Sequence, residues 1–281
     1  MLHIKTIKNI TTKFLVTTAI FFSTLSFASQ PLSVDVQGNK VEVIVHLPGD
    51  ISADLTLQFE NAVGLTKESL GLSAELIDVT SLDIIDRLPS GVSITPAAAF
   101  PMMITIEPKA NTGFSFSGVA TIDLHTHNLE YTAGTHFRFF KAPLNGGFKD
   151  ITETLGSGSL RTRGTTGKFS QFIIVADLRA PLMVVQQKFN DLQAALNEFS
   201  PQINAAVYSA LLQDIDDINQ LISIQDYNTA SNKLNDFNRR INDNRGINIP
   251  DVWRSSRDII NIAGELMALS KTLRFSLRLI K

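Results

Sequence analysis

Glycine all but disappears from this chain after residue 180: of 16 glycines, only Gly246 and Gly264 lie beyond that point. The five histidines all fall before residue 137. Residues 29–180 are rich in Gly, Thr, Phe and Val, whereas 181–281 carry Asn, Asp, Leu and Ile at helical spacing. A turn-rich run of strands followed by a run of helices is the pattern of a segregated α+β chain. The expectation is a β-sandwich domain over residues 29–180 and an antiparallel four-helix bundle domain over 181–281. The two should fold as separable units joined near Leu178–Pro181.

The strand half begins with a hairpin signature. Leu32 to Val36 alternates, Gly38-Asn39 turns, and Val41 to Val45 alternates again. Further strands are expected at Asp54–Phe59, Ser73–Val79, Met102–Glu107, Val119–His127, Phe137–Lys141 and Phe169–Ala176. Short helical pieces fit Thr66–Leu70 and Ser81–Leu88. No long amphipathic helix interrupts these strands, so a second sheet must cover their apolar faces.

The helical half reads by its stripes. Val185, Phe189, Leu192, Leu196 and Phe199 share one face, and Ser200-Pro201 offers a cap and first-turn proline for a second helix. That helix places Ile203, Val207, Leu211, Ile215, Ile218 and Ile222 together. Asp226 caps a third, with Tyr227, Ala230, Leu234, Phe237 and Ile241 inward and Gly246 closing it. Asn248 and Pro250 open the fourth, facing Ile260, Ala263, Met267 and Leu277 inward. Trp253 then covers the bundle end.

Residues 1–28 read as a secretory signal peptide: Lys5, Lys8 and Lys13 precede an apolar stretch, and Ser26-Phe27-Ala28 is a small–x–small cleavage site. The uncharged run Phe14–Phe27 is short of the roughly 20 residues a bilayer core requires. Cleavage moves the formal charge from −2 to −5, leaving no transmembrane segment and no basic bias for nucleic acid. Cysteine is absent, which removes disulfides, thiol nucleophiles and Cys-ligated metals.

Candidate chemistry is thin. His125 and His127 share a strand face, with Asp123 on the same face and His136 nearby. Two imidazoles fall short of the three or four ligands a stable zinc site needs. Metal-free protein is therefore expected, with both histidines on a solvent-facing strand surface. The acidic run Asp214-Ile215-Asp216-Asp217 lacks the Gly and bidentate Glu of an EF-hand and follows helical spacing. Arg163-Gly164-Thr165-Thr166-Gly167-Lys168 lacks Walker spacing and reads as a hairpin turn. Ser170 has no nucleophile elbow around it. Thr272–Arg278 is slightly amphipathic, but a shared helical core explains it without lipid.

Two groups of motifs carry a resemblance. Phe137-Arg138-Phe139-Phe140-Lys141, Gly147-Phe148-Lys149-Asp150 and Gly167-Lys168-Phe169-Ser170-Gln171-Phe172 resemble the closing strands of bacterial surface β-sandwich domains. Gln225-Asp226-Tyr227 through Phe237 to Gly246 is similar to helical modules appended to secreted bacterial proteins. With Arg254–Asp258 and Thr272–Ser276, the whole mature chain resembles an uncharacterised family of exported proteobacterial proteins. The resemblance implies architecture and export, and transfers no catalytic residue.

These readings lead to an exported, non-enzymatic binding or structural protein, periplasmic or secreted. It has no assigned cofactor, and its partner is a protein or glycan at the cell envelope. Two alternatives stand beside it: a metal-dependent hydrolase using His125, His127 and His136, and an adhesion or envelope-assembly partner acting through the helices. Exposed aromatics on sandwich loops would favour glycans, and an apolar patch on the helices a protein.

Overall fold

The computed structural model describes residues 32–89 and 93–280. The expected leader, residues 1–28, lies outside them. Among the described residues the chain is α+β, with two antiparallel sheets and six helices, the four longest after residue 180.

The hairpin forms as its alternation requires: β1 (Leu32–Gln37) turns at Gly38 into β2 (Lys40–Leu47), which pairs with β3 (Ile51–Val63). Two single-turn helices, α1 (Lys67–Leu70) and α2 (Leu82–Ile85), flank β4 (Leu72–Leu76). Their caps are local: Thr66 accepts the Ser69 N–H, and Ser81 the Asp83 N–H. Next come β5 (Ile94–Pro96), β6 (Met102–Ile106), the long β7 (Ser115–Glu130), β8 (Phe137–Ala142), β9 (Lys149–Asp150), β10 (Thr152–Gly156), β11 (Ser159–Thr166) and β12 (Gln171–Asp177). Six strands of the seven-stranded sheet run β1-β2-β3-β7-β11-β10, and the six-stranded sheet runs β4-β6-β12-β8-β9, with β5 on β12. One apolar cluster draws on both, from Val43, Leu55 and Ile122 in the first sheet to Ile104, Phe139 and Phe172 in the second.

Residues Arg163–Lys168 do not make the expected hairpin turn. Arg163–Thr166 finish β11 in one sheet and β12 belongs to the other, so Gly167 and Lys168 carry the chain between sheets. Glycine is required there, because a Cβ on Gly167 would fall 2.6 Å from the Glu265 backbone nitrogen.

The helices α3 (Pro181–Phe199), α4 (Ala205–Ser223), α5 (Tyr227–Asn244) and α6 (Ile262–Leu279) share a second apolar cluster, with Phe189, Leu211, Phe237 and Leu273 at its centre. Pro181 takes the first turn of α3, Asp226 caps α5 through the Thr229 N–H, and Gly246 follows that helix at φ +75°. Ser200 does not start the second helix. Its hydroxyl donates back to the Asn197 carbonyl, a short 3-10 turn covers Ser200–Gln202, and Asn204 caps α4 instead.

The largest departure is at Pro250. No helix opens there; Val252–Arg254 form a strand, β13, which pairs with Ser115–Ser117 of β7. The pairing begins just past Thr166↔Ala120, where β11 leaves β7, so β13 takes up backbone groups that β11 vacates. Gly118 sits at this handover with φ +73°, donating its N–H to the Asp251 carbonyl. The buried Asn261 side chain donates to the Gly118 carbonyl and caps α6 through the Gly264 N–H. Trp253 does not cover a helical end; it packs among Phe114, Phe116 and Phe169 in the apolar cluster that draws on both sheets. The described residues 32–89 and 93–280 fall in one compact unit, within which the secondary structure changes at residue 180.

Candidate functional site

Two places bring polar chemistry together. The first is a groove of about 1010 Å³ where the six-stranded sheet meets α3, α6 and the residues after β13. Phe148, Phe169, Phe199, Trp253, Ile260 and Leu269 contribute its apolar lining. Its floor is charged. Lys141 on β8 is buried by the α6 terminus; its Nζ donates to Thr166 Oγ1 at 2.6 Å and to Glu265 Oε1 at 3.3 Å. Glu265 also accepts the Gly167 N–H at 3.0 Å and pairs with Lys168 at 3.2 Å. Burial alone would push the Glu265 carboxyl up, but Lys141 and Lys168 outweigh it and hold the group at about 2. Burial lowers Lys141, against the pull of Glu265. Two lysines on one carboxylate leave an excess of positive charge at the floor.

A second buried pair lies alongside. Lys188 of α3 meets Asp150 at the end of β9 at 2.7 Å and donates to Thr272 Oγ1 at 2.7 Å. Thr272 in turn donates to the Asp150 and Thr152 carbonyls, tying α6 to the sheet. The segment with a slight membrane-helix character is thus part of the interior: Leu273, Phe275 and Leu277 are buried. Among the described residues no helix is long and apolar enough to cross a membrane.

The second place is the outward face of the seven-stranded sheet. Along β7 the even positions from Phe116 to Thr126 are buried, and Asp123, His125 and His127 lie on the opposite face. Asp123 is taken by Arg163 of β11, with Oδ1 2.7 Å from Nε. His136 precedes β8 in the other sheet and stays apart from the pair. The third member is Asp54, paired directly with His125 in the β3–β7 register. Its Oδ2 lies 3.1 Å from His127 Nε2 and 3.4 Å from His125 Nδ1. Ser159 Oγ is 2.6 Å from His125 Nε2. Burial, with Arg161 and His127 adding to it, lowers His125 below its ordinary range, against Asp54. Sequence reasoning found the two histidines by their spacing and missed Asp54. Only the pairing of two strands far apart in the chain reveals it.

The weaker motifs resolve into structure. Asp214 pairs with Arg240 at 2.7 Å and Asp217 with Lys233 at 2.7 Å, fastening α4 to α5. Of the described phenylalanines only Phe137 is not buried, and Trp253 is buried too. The large apolar side chains that reach solvent are aliphatic, among them Leu178, Leu182 and Met183 around the start of α3.

No curated protein and no solved structure matches the chain. A family profile does match, over residues 16–281, under the description "Family of unknown function (DUF6689)". With nearly the whole length covered, the chain belongs to that family.

Proposed function

We propose that this chain is an exported, non-enzymatic binding protein whose two sheets form a β-sandwich. Its α3–α6 bundle, in this reading, walls one side of the binding groove. The observation that carries this reading is the groove itself. Its volume of about 1010 Å³ is at the upper end of ligand pockets, its sides are apolar, and its floor has surplus positive charge. The ligand class that fits is amphipathic, with an apolar body against Ile260 and Leu269 and an anionic end toward Lys168. Sugar stacking needs accessible aromatic faces, and the burial of Trp253 and nearly all described phenylalanines favours a protein segment or lipid-like ligand over a glycan. At the floor Glu265 is held between Lys141 and Lys168, an ion-pair arrangement that supports binding over catalysis.

Titration with the fluorescent probe anilinonaphthalene sulfonate tests the groove. Saturable binding to native protein is expected, with loss in Ala194→Trp, which fills the groove from an exposed position on α3, and in Ile260→Asp. Equal binding by all three proteins would refute the assignment. Export has its own test: N-terminal sequencing of the exported protein should begin at Ser29, and an intact membrane-embedded N-terminus would count against it.

A further inference from the structure

We propose that Asp54, His125 and His127 bind one divalent late first-row transition-metal ion, such as Zn²⁺, on the outward face of the seven-stranded sheet. One ligand atom from each side chain lies within 4.8 Å of the others. Zinc takes nitrogen and oxygen ligands at about 2.0–2.1 Å in a tetrahedron, whose edges are then about 3.3–3.4 Å long. The carboxylate oxygen stands 3.1 and 3.4 Å from the two imidazole nitrogens, close to that edge. Two of the three ligand–ligand edges thus already suit a single ion, and the third, between the two imidazoles, is within 4.8 Å.

The backbone sets this geometry. His125 and His127 are two apart on one strand, and Asp54 is cross-strand neighbour to His125 between the two central strands β3 and β7. Ligands on paired strands are held more firmly than ligands on loops. The support behind them also fits. When His125 Nε2–H donates to Ser159 Oγ, Nδ1 is left as a lone pair facing Asp54, which is the tautomer a metal requires. Arg161, opposite His125 on β11, opposes a cation, while the Asp54 carboxylate favours it. The three side chains are 49, 23 and 41% exposed in the order Asp54, His125, His127, so an ion can enter from solvent. The fourth tetrahedral position falls to water or a donor from outside the chain.

The test uses full-length protein without a polyhistidine tag, stripped with chelator and titrated with Zn²⁺ against a competing indicator. One equivalent per chain is expected. Binding should weaken more than tenfold in Asp54→Asn and His127→Ala, and by roughly 10- to 100-fold in Ser159→Ala, whose hydroxyl only orients a ligand. Asp54→Asn is nearly isosteric and exposed, so its unchanged melting midpoint separates lost ligation from lost fold. His136→Ala should bind as the parent does. No saturable binding by the parent, or binding lost in His136→Ala and kept in Asp54→Asn, would overturn the site.

Discussion

Trp253 stands directly across from Phe116 in the β13–β7 pair, with ring centroids 5.6 Å apart. Phe169 and Phe114 complete the contact at 5.4 and 6.0 Å. A residue from the helix-rich segment thus joins the apolar cluster that draws on both sheets. Trp253→Ala should cost about 3–5 kcal/mol, as for deletion of a large buried aromatic. Denaturant melts of the whole chain would show it, in one transition shared by near-UV and far-UV signals. Two separated transitions would mean that residues 181–281 fold on their own.

Phe237 is fully buried on α5, in the middle of the stripe from Tyr227 to Ile241. Phe237→Ala should destabilise by about 3–5 kcal/mol. An unchanged thermal midpoint would show that the four helices do not depend on that stripe.

The buried Lys188–Asp150 pair predicts an asymmetry. Removing one partner strands a charge in the interior, so Lys188→Ala should cost about 3–5 kcal/mol. Lys188→Met combined with Asp150→Asn removes both charges and should recover part of the loss. A double variant no better than the single one would indicate that packing at Lys188, and not its charge, sets the cost.

Acid should act through Glu265. In the unfolded chain this group takes up a proton near its ordinary 4.5, while in the fold it stays ionised down to about 2. Between those values the unfolded state binds more protons, so stability falls as pH is lowered through the interval and is fully present above it. Melts from pH 6 to pH 2.5 should therefore be steeper for the parent than for Glu265→Gln. Parallel curves would show that Glu265 contributes nothing to the acid response.

The β1–β2 hairpin, both short helices, α3 and α5 were legible because each is specified by near neighbours: alternation about a turn, a capping hydroxyl, or a stripe of large apolar residues. β10 and β11 were not. The inward positions of β11 are Leu160, Thr162, Gly164 and Thr166, so its buried face lacks the apolar alternation that marks a strand. β13 has three residues, and its only strong signal, a tryptophan after a proline, equally suits a helix start. The same limit governs the site. A spacing of two joined His125 to His127, and nothing local joined either to Asp54.

Placing Trp253 so late in the chain sets an order of assembly. Phe59, Phe114, Phe116 and Phe169 are all synthesised well before the strand that seals them, and until it docks Ser115–Ser117 present an unpaired β edge. A growing chain therefore carries its stickiest surface open until residues past 250 have been made. Closing so distant a contact is slow, because the loop entropy is lost before the contact forms.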